Sequence, residues 1–389
     1  MDVRSKTNEY IANTYARFDV VAVKGEGSLI TDEAGKEYID LGSGIAVNSF
    51  GVADPVWLEA VTSQAATLQH SSNLYYTKPG ADLAEALCKR TGMEKVFFSN
   101  SGAEANECAI KVARKWAADN KGSDFYTVVT LENSFHGRTI TTLAATGQDV
   151  FHKDFTPLTE GFVTAKANDI ESVRKAVAEN KVAAVMMEAV QGEGGVVPLE
   201  PEFVAEVFAL AEKEDFLVIF DEVQTGNGRS GALYAYMNFG VKPDIVSTAK
   251  GLAGGLPIGA TLLGEKVKDT LTPGLHGSTF GANPVCCAAA LSVISRIDDE
   301  LLSEVREKSE YVFSTLAGKP GIEAVTGMGL MIGIKTVKDA SEVVAKCQEN
   351  GVLVLKAKDK VRLLPALNIP FDLLKKAVGI IADAAKPND

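Results

Sequence analysis

The chain has 389 residues, of which 46% are hydrophobic, so it is long and apolar enough to form two or three folded domains. Its 39 basic and 51 acidic side chains give a net charge of −12, which disfavours nucleic acids and anionic membrane surfaces as partners. The N-terminus lacks the apolar core of a signal peptide, and no stretch reaches the roughly 18 apolar residues of a membrane span, so we expect a cytoplasmic location and no membrane partner. The five cysteines form no CxxC pair and indicate neither a disulfide framework nor a metal site.

The chain begins with a pattern typical of a small lobe. Residues 27–41 alternate apolar and polar side chains around an Asp-Glu-Ala-Gly turn. This alternation predicts an antiparallel hairpin. We therefore place an N-terminal lobe at residues 1–55.

The middle of the chain alternates short apolar runs with helix-length segments. Runs that are apolar throughout suit strands buried on both faces of a mostly parallel sheet. Six such runs occur, at residues 95–99, 126–131, 182–187, 216–220, 244–248 and 258–263. They predict a large α/β domain over residues 56–284.

The last part of the chain has a different pattern. An alanine-rich helical segment follows residue 284, and predicted strands lie within residues 322–336. A helix near residues 372–385 closes the chain. Residues 285–389 are therefore predicted to form a small α+β domain.

Small residues follow the first run of the large domain. Ser101, Gly102 and Ala103 separate it from a helix whose apolar face includes Ala105 and Ala109. The free backbone N–H groups of a helix N-terminus bind phosphate, glycine permits close approach, and a serine hydroxyl adds a donor. A turn that caps the helix and binds nothing is the alternative interpretation.

Two further runs end in residues that can carry chemistry. Asp221 follows one of them, at the sheet edge where open α/β proteins bind ligands, and could bind a metal, cap a helix or pair with a cationic ring. Lys250 follows another and lies between small residues, where desolvation would lower the pKa of its amine and make it nucleophilic. Taken alone, Lys250 could equally be a structural or surface lysine.

Six motifs in order resemble those of the class III aminotransferases. They are residues 101–107, Phe135-His136-Gly137-Arg138, Glu188 with Gln191-Gly192-Glu193, residues 221–226, residues 249–251 and residues 277–281. The N-terminal hairpin and residues 361–365 extend the similarity over nearly the whole chain, and the closest resemblance is to the acetylornithine aminotransferases. This resemblance implies the fold-type I architecture of pyridoxal 5'-phosphate (PLP) enzymes, which is similar to aspartate aminotransferase. It also implies a homodimer with shared active sites.

The resemblance implies a set of cofactor contacts. Lys250 would form the Schiff base with PLP, and Asp221 would pair with the pyridine nitrogen so that the ring accepts electrons. The other implied contacts are Ser101, Gly102 and Ala103 at the phosphate, Phe135 on the ring face, Gln224 at the phenolic oxygen and Thr279 at the phosphate of the neighbouring subunit.

Substrate contacts are also implied by the resemblance. Arg138 would grip the distal carboxylate of the substrate, and Ser278 would lie beside the substrate. Arg362 would bind the carboxylate next to the reacting carbon of glutamate, and Glu193 would neutralise Arg362 when that carboxylate is absent. His136 is expected to support other residues of the site and not to act as acid or base.

The expected reaction transfers the δ-amino group of N-acetylornithine to 2-oxoglutarate, as the resemblance implies. Gly44 stands near the position where ornithine δ-aminotransferases carry a tyrosine for the free α-amino acid head, which favours an N-acylated donor. Ornithine, succinylornithine, 4-aminobutyrate and carrier-linked lysine remain alternative donors. Residues 51–55, Gly-Val-Ala-Asp-Pro, depart from a Gly-His-x-His-Pro segment found in many relatives, and this puts only the local turn packing in doubt.

Two other classes of protein compete with this interpretation. Residues 226–231 spell GxGxxG, the fingerprint of nicotinamide dehydrogenases, but Asp221 and Gln224 separate the preceding strand from the first glycine, and no crossover helix clearly follows. A non-catalytic binding protein of the PLP fold is the second alternative. The presence of Lys250, Asp221 and Arg138 and the lack of a DNA-binding segment argue against it.

Overall fold

The computed structural model describes residues 2–387, so Met1, Asn388 and Asp389, at the ends of the predicted terminal domains, lie outside it. The first elements, in chain order, are α1 (Val3–Tyr10), β1 (Ala22–Glu26), β2 (Leu29–Asp32), β3 (Glu37–Asp40), α2 (Ser43–Ala46) and α3 (Pro55–Thr67). Strand β2 pairs antiparallel with both β1 and β3, which confirms the predicted hairpin. Asp54, in the segment that departs from its relatives, accepts a hydrogen bond from the backbone N–H of Trp57 and so caps α3.

A seven-stranded sheet forms the centre of the molecule. Its part of the chain contains α4 (Lys78–Thr91), β4 (Lys95–Ser99), α5 (Gly102–Asn120), β5 (Thr127–Leu131), α6 (Ile140–Ala145), β6 (Phe162–Ala165), α7 (Ile170–Glu179), β7 (Val182–Met187), β8 (Val190–Gln191), β9 (Val197–Pro198), α8 (Pro201–Glu214), β10 (Leu217–Asp221), β11 (Ile245–Thr248) and β12 (Gly259–Leu263). The strand order is β4-β12-β11-β10-β7-β5-β6, and only β12 runs antiparallel to its neighbours. The predicted α/β class with a mostly parallel sheet is confirmed.

Strand β6 is the one strand of this sheet that the sequence pattern missed. It has four residues, lies at the edge of the sheet and is only partly buried, so it shows no long apolar run. The central strands β7 and β10 are buried along their whole length, as their apolar runs predicted. Helix α5 buries Ala105, Ala109, Val112 and Trp116, the face expected from its periodicity.

The elements after the large sheet are α9 (Pro284–Ile294), α10 (Asp299–Leu316), β13 (Ile322–Met328), β14 (Met331–Thr336), α11 (Ala340–Glu349), β15 (Val352–Leu353), β16 (Leu355–Ala357), β17 (Lys360–Leu363) and α12 (Phe371–Ala385). Four of these strands form a second sheet in the order β13-β14-β17-β16. Strand β15 instead pairs in parallel with β3, so the two ends of the chain share a sheet. The domain boundaries at residues 55 and 284 stay predictions.

The arrangement of the large sheet decides where a ligand can bind. Strands β4, β5, β7, β10 and β11 run in one direction, so the loops that follow them meet at one edge of the sheet. All of the predicted cofactor contacts except Thr279 follow one of these strands. Within residues 2–387, no helix combines the length and the apolar character needed to cross a membrane.

Candidate active site

A cavity of about 380 Å³ opens at the carboxyl edge of the large sheet. Predicted site residues make up much of its wall, namely Ser101, Gly102, Ala103, Phe135, Asp221, Gln224 and Lys250. The loops after four different strands supply them, so residues far apart in sequence meet here. The structure therefore brings together most of the cofactor contacts that the motifs implied.

Asp221 ends strand β10 and is held in place by three hydrogen bonds. Its Oδ2 atom accepts from Nδ2 of Asn106 and from Nδ1 of His136, both at 2.8 Å, and its Oδ1 atom accepts from the backbone N–H of Val223 at 3.0 Å. The carboxylate is 3% exposed, so it is fixed in a nearly dry environment. Such a carboxylate can hold a proton on a ring nitrogen brought against it.

His136 supports Asp221 directly. The backbone carbonyl of His136 also accepts a hydrogen bond from Asn106, at 2.7 Å, so Asn106 links the histidine and the aspartate. Nε2 of His136 and Oδ1 of Asn106 are buried and have no hydrogen-bond partner among residues 2–387. Both atoms belong to side chains that donate to the carboxylate that the resemblance assigns to the cofactor.

Lys250 begins a short 3₁₀ turn directly after β11 and lines the cavity. Its backbone φ of 44° lies in the left-handed region, a conformation that costs energy in a residue other than glycine and often marks functional sites. Asn227 holds the turn because its Nδ2 atom donates to the carbonyl of Ala249 at 3.1 Å. The next residue, Gly251, must be small, since a side-chain carbon there would lie 2.7 Å from the hydroxyl of Ser49.

Burial lowers the pKa of the Lys250 amine from its ordinary value. The negative charge of Glu193 opposes this effect, and the nearby Arg362 guanidinium adds to it. A lysine amine with a lowered pKa has a larger unprotonated fraction near neutral pH. Lys250 can therefore act as a nucleophile and as a proton carrier.

The N-terminus of α5 also lines the cavity. Ser101 caps the helix, and its hydroxyl accepts from the backbone N–H of Glu104 at 3.2 Å. The next two N–H groups, of Gly102 and Ala103, have no acceptor among residues 2–387. A side-chain carbon on Gly102 would lie 2.6 Å from Val223, so glycine allows this close packing. The helix therefore offers free donors to an anion.

Arg362 and Glu193 form an ion pair next to the cavity, on what we call its substrate side; neither residue lines the cavity itself, but both contact Gln224, which does. Nη1 of Arg362 donates to Oε1 of Glu193 at 2.6 Å and to Oε1 of Gln224 at 3.1 Å. Burial is the largest single effect and would raise the pKa of Glu193, but the charge and hydrogen bond of Arg362, the charge of Lys250 and the hydrogen bond from Gln224 together lower it. Gln224 also donates to Glu193 at 3.3 Å, so its amide is engaged with this pair as well as lining the cavity.

Arg138 is exposed and stacks on aromatic rings. Its guanidinium lies 4.1 Å from the ring centre of Phe151 and 5.4 Å from that of Phe135. The two rings meet edge to face at 5.9 Å. Arg138 pairs with no carboxylate among residues 2–387, so its charge is available to a substrate.

Ser278 and Thr279 lie outside this cavity. They line a second cavity with Leu74 and His276, and Thr279 is exposed. Ser278 reaches the rim of the first cavity only through Nδ2 of Asn100, which donates to its hydroxyl at 3.1 Å. The roles predicted for Ser278 and Thr279 therefore need either a second subunit or a movement of this loop.

Four residues with clear places in the site were given no catalytic or binding role from the sequence. Asn106 lies one helical turn after Gly102 on the same face of α5, and this spacing is a signal that could have identified it. Glu188 and His136 lie in motifs that were recognised, but their partners are set by tertiary contacts. Phe151 ends a short 3₁₀ helix, Asp149–Phe151, outside every motif.

Residues of this cavity fit PLP. A single cavity offers a lysine amine, a buried carboxylate and the free N–H groups of a helix N-terminus, which match the cofactor's aldehyde, pyridine nitrogen and phosphate. Residues 222–234, which include the GxGxxG spelling, form turns and loop with no helix. The dinucleotide fingerprint requires a helix there, so the structure argues against a nicotinamide dehydrogenase.

Comparisons with known proteins agree with this site. The family model Aminotransferase class-III matches residues 10–385. A protein named acetylornithine aminotransferase from Haemophilus ducreyi is 50% identical over 375 residues, which cover 96% of this chain and 95% of that protein. A protein of the same name from Aquifex aeolicus is 45% identical, with coverage of 96% and 99%.

Solved structures show the same similarity. The N-acetylornithine aminotransferase from Stenotrophomonas maltophilia superposes with a TM-score of 0.85 at 35% identity, covering 98% of this chain and 97% of that one. The ornithine aminotransferase from Toxoplasma gondii superposes with a TM-score of 0.94 at 31% identity, covering 98% and 94%. PLP is the cofactor of these enzymes and of this protein. The chain belongs to the class III aminotransferases.

Proposed function

We propose that this aminotransferase moves the δ-amino group of N-acetyl-L-ornithine to 2-oxoglutarate. The products are N-acetyl-L-glutamate 5-semialdehyde and L-glutamate, and the reaction belongs to arginine biosynthesis. The observation that carries the proposal is the Arg362–Glu193 ion pair, whose two charges both act on Lys250, because it suits a site that accepts two unlike amino donors. Relatives named acetylornithine aminotransferase match the chain over nearly its whole length and support the choice of donor.

When bound, PLP supplies an electron-accepting ring and the carbon that carries the amino group between substrates. Lys250 would hold the cofactor covalently through its amine, and once free that amine would accept the proton from the reacting carbon of the substrate. Asp221 keeps the pyridine nitrogen protonated, with His136 and Asn106 fixing its orientation. Gly102 and Ala103 hold the phosphate through their backbone N–H groups.

The two donors differ in where their carboxylates lie. N-acetylornithine has no carboxylate beside its reacting carbon, whereas glutamate has one, and both carry a carboxylate at the far end. Arg138 therefore holds the far carboxylate in both half-reactions. Arg362 binds the near carboxylate of glutamate, and Glu193 neutralises Arg362 when N-acetylornithine occupies the site.

The same proposal includes a homodimer whose subunits complete each other's sites. Thr279 is exposed and lies outside the cavity of its own chain, so its phosphate contact would be made in the partner. The surrounding surface carries the exposed apolar side chains Leu74, Tyr75, Tyr76, Leu275 and Phe280. Apolar side chains clustered in this way favour burial against a second copy of the chain.

The cytoplasmic location stays a prediction from the sequence.

Ornithine is the strongest alternative donor, because ornithine aminotransferases are among the solved structures most similar in fold. Gly44 favours an N-acylated donor over ornithine, because glycine leaves room for an acyl group where a tyrosine would contact a free amino acid head. Gly44 lies in a left-handed turn with φ 63°. A non-catalytic binding protein is disfavoured because Lys250, Asp221 and the free helix donors share one cavity.

A panel of amino donors tests the proposal. We expect N-acetylornithine with 2-oxoglutarate to give the highest kcat/KM, followed by succinylornithine, with ornithine, 4-aminobutyrate and lysine lower by at least about tenfold, or 1.4 kcal/mol of transition-state binding. A higher kcat/KM for ornithine than for N-acetylornithine would overturn the choice of donor. Absence of transfer from every donor would support the non-catalytic alternative.

A further inference from the structure

Glu188 is a buried carboxylate whose two oxygens bind two different loops. It follows β7, is 5% exposed and forms part of the cavity wall. Its Oε1 atom accepts from the backbone N–H of Phe135 at 2.9 Å, and its Oε2 atom accepts from the backbone N–H of Gly192 at 3.2 Å. One side chain therefore connects the loop after β5 with the loop after β8.

These two loops have separate tasks in the proposed function. The loop of residues 132–139 places Phe135 on the cofactor face and carries Arg138. The loop of residues 191–196 carries Glu193, which pairs with Arg362. A backbone N–H that is buried without an acceptor is destabilising, so removing Glu188 would leave both loops with an unpaired donor at the cavity.

A second contact joins the same loops farther from the cavity. Nε2 of Gln191 donates to the backbone carbonyl of Glu132 at 2.8 Å. This hydrogen bond joins the starts of the two loops, but it involves neither Phe135 nor Gly192. Glu188 is the contact that reaches the two functional positions.

We propose that Glu188 is a positioning residue that fixes Phe135 at the cofactor face and Glu193 at its distance from Arg362 as a single unit. The inference rests on the proposed function for the role of Glu193, and its structural part is independent of the substrate. Ring stacking and the neutralisation of Arg362 are thereby coupled through one side chain. A change at Glu188 should disturb both, whereas a change in either loop should disturb one.

The electrostatic surroundings support a functional reason for this carboxylate. Burial raises the pKa of Glu188 to about 7, and the nearby His136 lowers it while Asp221 raises it further. Burying a charged group destabilises the folded protein, and such a group is retained where its charge or its hydrogen bonds are used. The charge of Glu188 also acts on Lys250, where it opposes the lowering of the amine pKa by burial.

The test variant is Glu188→Gln, which keeps the size of the side chain. A carboxamide has one acceptor oxygen, so only one of the two backbone N–H groups keeps its bond and the other faces an NH₂ group. The matched control is Glu222→Gln. Glu222 is also a buried carboxylate with a pKa raised to about 7 by burial, and it accepts backbone N–H groups from Ala235 and Tyr236, but it does not line the cavity.

Hydrogen–deuterium exchange of the holoenzyme gives the readout that does not depend on turnover. In Glu188→Gln we expect the peptide whose N–H group loses its bond to exchange about tenfold faster. The other peptide should also exchange faster, by a smaller factor, because the two loops would no longer be joined through one side chain. PLP should also dissociate faster. Glu222→Gln should speed exchange around residues 235–236 and leave the two cavity peptides unchanged.

Single-turnover kinetics tests the coupling to the substrate. In Glu188→Gln the ratio of the N-acetylornithine rate to the glutamate rate should change by about tenfold, and in Glu222→Gln it should not. If only one peptide loosened, or if both loosened with an unchanged ratio and unchanged PLP release, Glu188 would not be the coupling residue.

Gln191→Ala serves as a second variant. If it loosened both peptides as much as Glu188→Gln does, the loops would be held by Gln191, and the proposal would be wrong. If the wild-type protein did not use N-acetylornithine but Glu188→Gln still showed faster hydrogen–deuterium exchange in both peptides, the proposed function would be wrong. The structural role of Glu188 would still be supported.

Discussion

The cofactor side and the substrate side of the cavity are built differently. On the cofactor side, Asp221 is held by three short hydrogen bonds, and Lys250 lies on a backbone turn that Asn227 fixes. On the substrate side, Arg362 is held by Glu193, a partly exposed side chain on a loop, and Arg138 is held only by aromatic rings. We expect the fixed side to serve chemistry that both half-reactions share. On the substrate side, we expect Arg138 to bind the carboxylate that both donors carry and the Arg362–Glu193 pair to respond to the carboxylate that only glutamate carries.

The cofactor side and the substrate side also differ in how their buried charges are neutralised. The Asp221 carboxylate has donors fixed by the fold, so a cofactor finds it already oriented. The Arg362 guanidinium is 3% exposed, whereas its partner Glu193 is 31% exposed, and we therefore propose that the Glu193 carboxylate can move away from Arg362. A buried cation without a partner is costly, so the movement of Glu193 is favourable only when a substrate carboxylate replaces it.

The largest expected effect is on the cofactor side, at Lys250. Lys250→Ala should abolish turnover, because it removes both the covalent attachment and the proton carrier. Borohydride reduction of the wild-type protein and peptide mapping should place the pyridoxyl mass on Lys250. Lys308→Ala is the control, since Lys308 is also buried but pairs with Glu304 away from the cavity. Pyridoxyl mass on any other lysine would contradict the assignment.

Asp221→Ala should lower kcat by orders of magnitude in both half-reactions. The free donors at the start of α5 remain, so the variant should still bind PLP, but the ring nitrogen would lose the group that keeps it protonated. Asn106→Ala removes only one of the donors to Asp221 and should cost far less. Rapid kinetics of each half-reaction measures this. A loss of only about tenfold, or 1.4 kcal/mol, for Asp221→Ala would show that it is not the partner of the ring nitrogen.

Substitutions on the substrate side should change the rates of the two half-reactions by different factors. Glu193→Ala leaves Arg362 permanently available, so the glutamate rate should rise relative to the N-acetylornithine rate, by at least about tenfold. Arg362→Ala should have the opposite effect and harm glutamate more. Glu193→Gln, which keeps the size and removes the charge, should behave like Glu193→Ala. Equal losses in both halves would remove the distinction between a fixed side and an exchangeable side.

Much of the cofactor side was predictable because its residues lie in local motifs. Asp221 and Lys250 each follow an apolar run, and an apolar run is visible in the sequence as a strand. The pairing of β15 with β3 was not predictable, because it joins residues more than 300 positions apart and each strand is short. The partners of Glu188 and the stacking of Phe151 on Arg138 were missed for the same reason, since they depend on how loops after different strands meet.

The smallest expected effect concerns Phe151, which the structure adds to the substrate side. Its ring supports the Arg138 guanidinium at 4.1 Å, and a cation–π contact at an exposed site contributes about 0.5–1 kcal/mol. Phe151→Leu should therefore raise KM for N-acetylornithine and for 2-oxoglutarate alike, by about two- to fivefold, with kcat nearly unchanged.

Both substrates should respond equally to Phe151→Leu because Arg138 holds the far carboxylate in both half-reactions, in contrast to the opposite responses expected for Glu193→Ala. Phe151→Tyr keeps an aromatic face and should restore most of the affinity. Phe155→Leu is the control, because Phe155 lies in the same loop, is exposed and does not stack on Arg138. An effect confined to one substrate, or an equal effect of Phe155→Leu, would show that Phe151 does not act through Arg138. The equal responses that we expect for Phe151→Leu would divide the substrate side into two parts. Arg138 would be the part common to both donors, and Arg362 the part that distinguishes them.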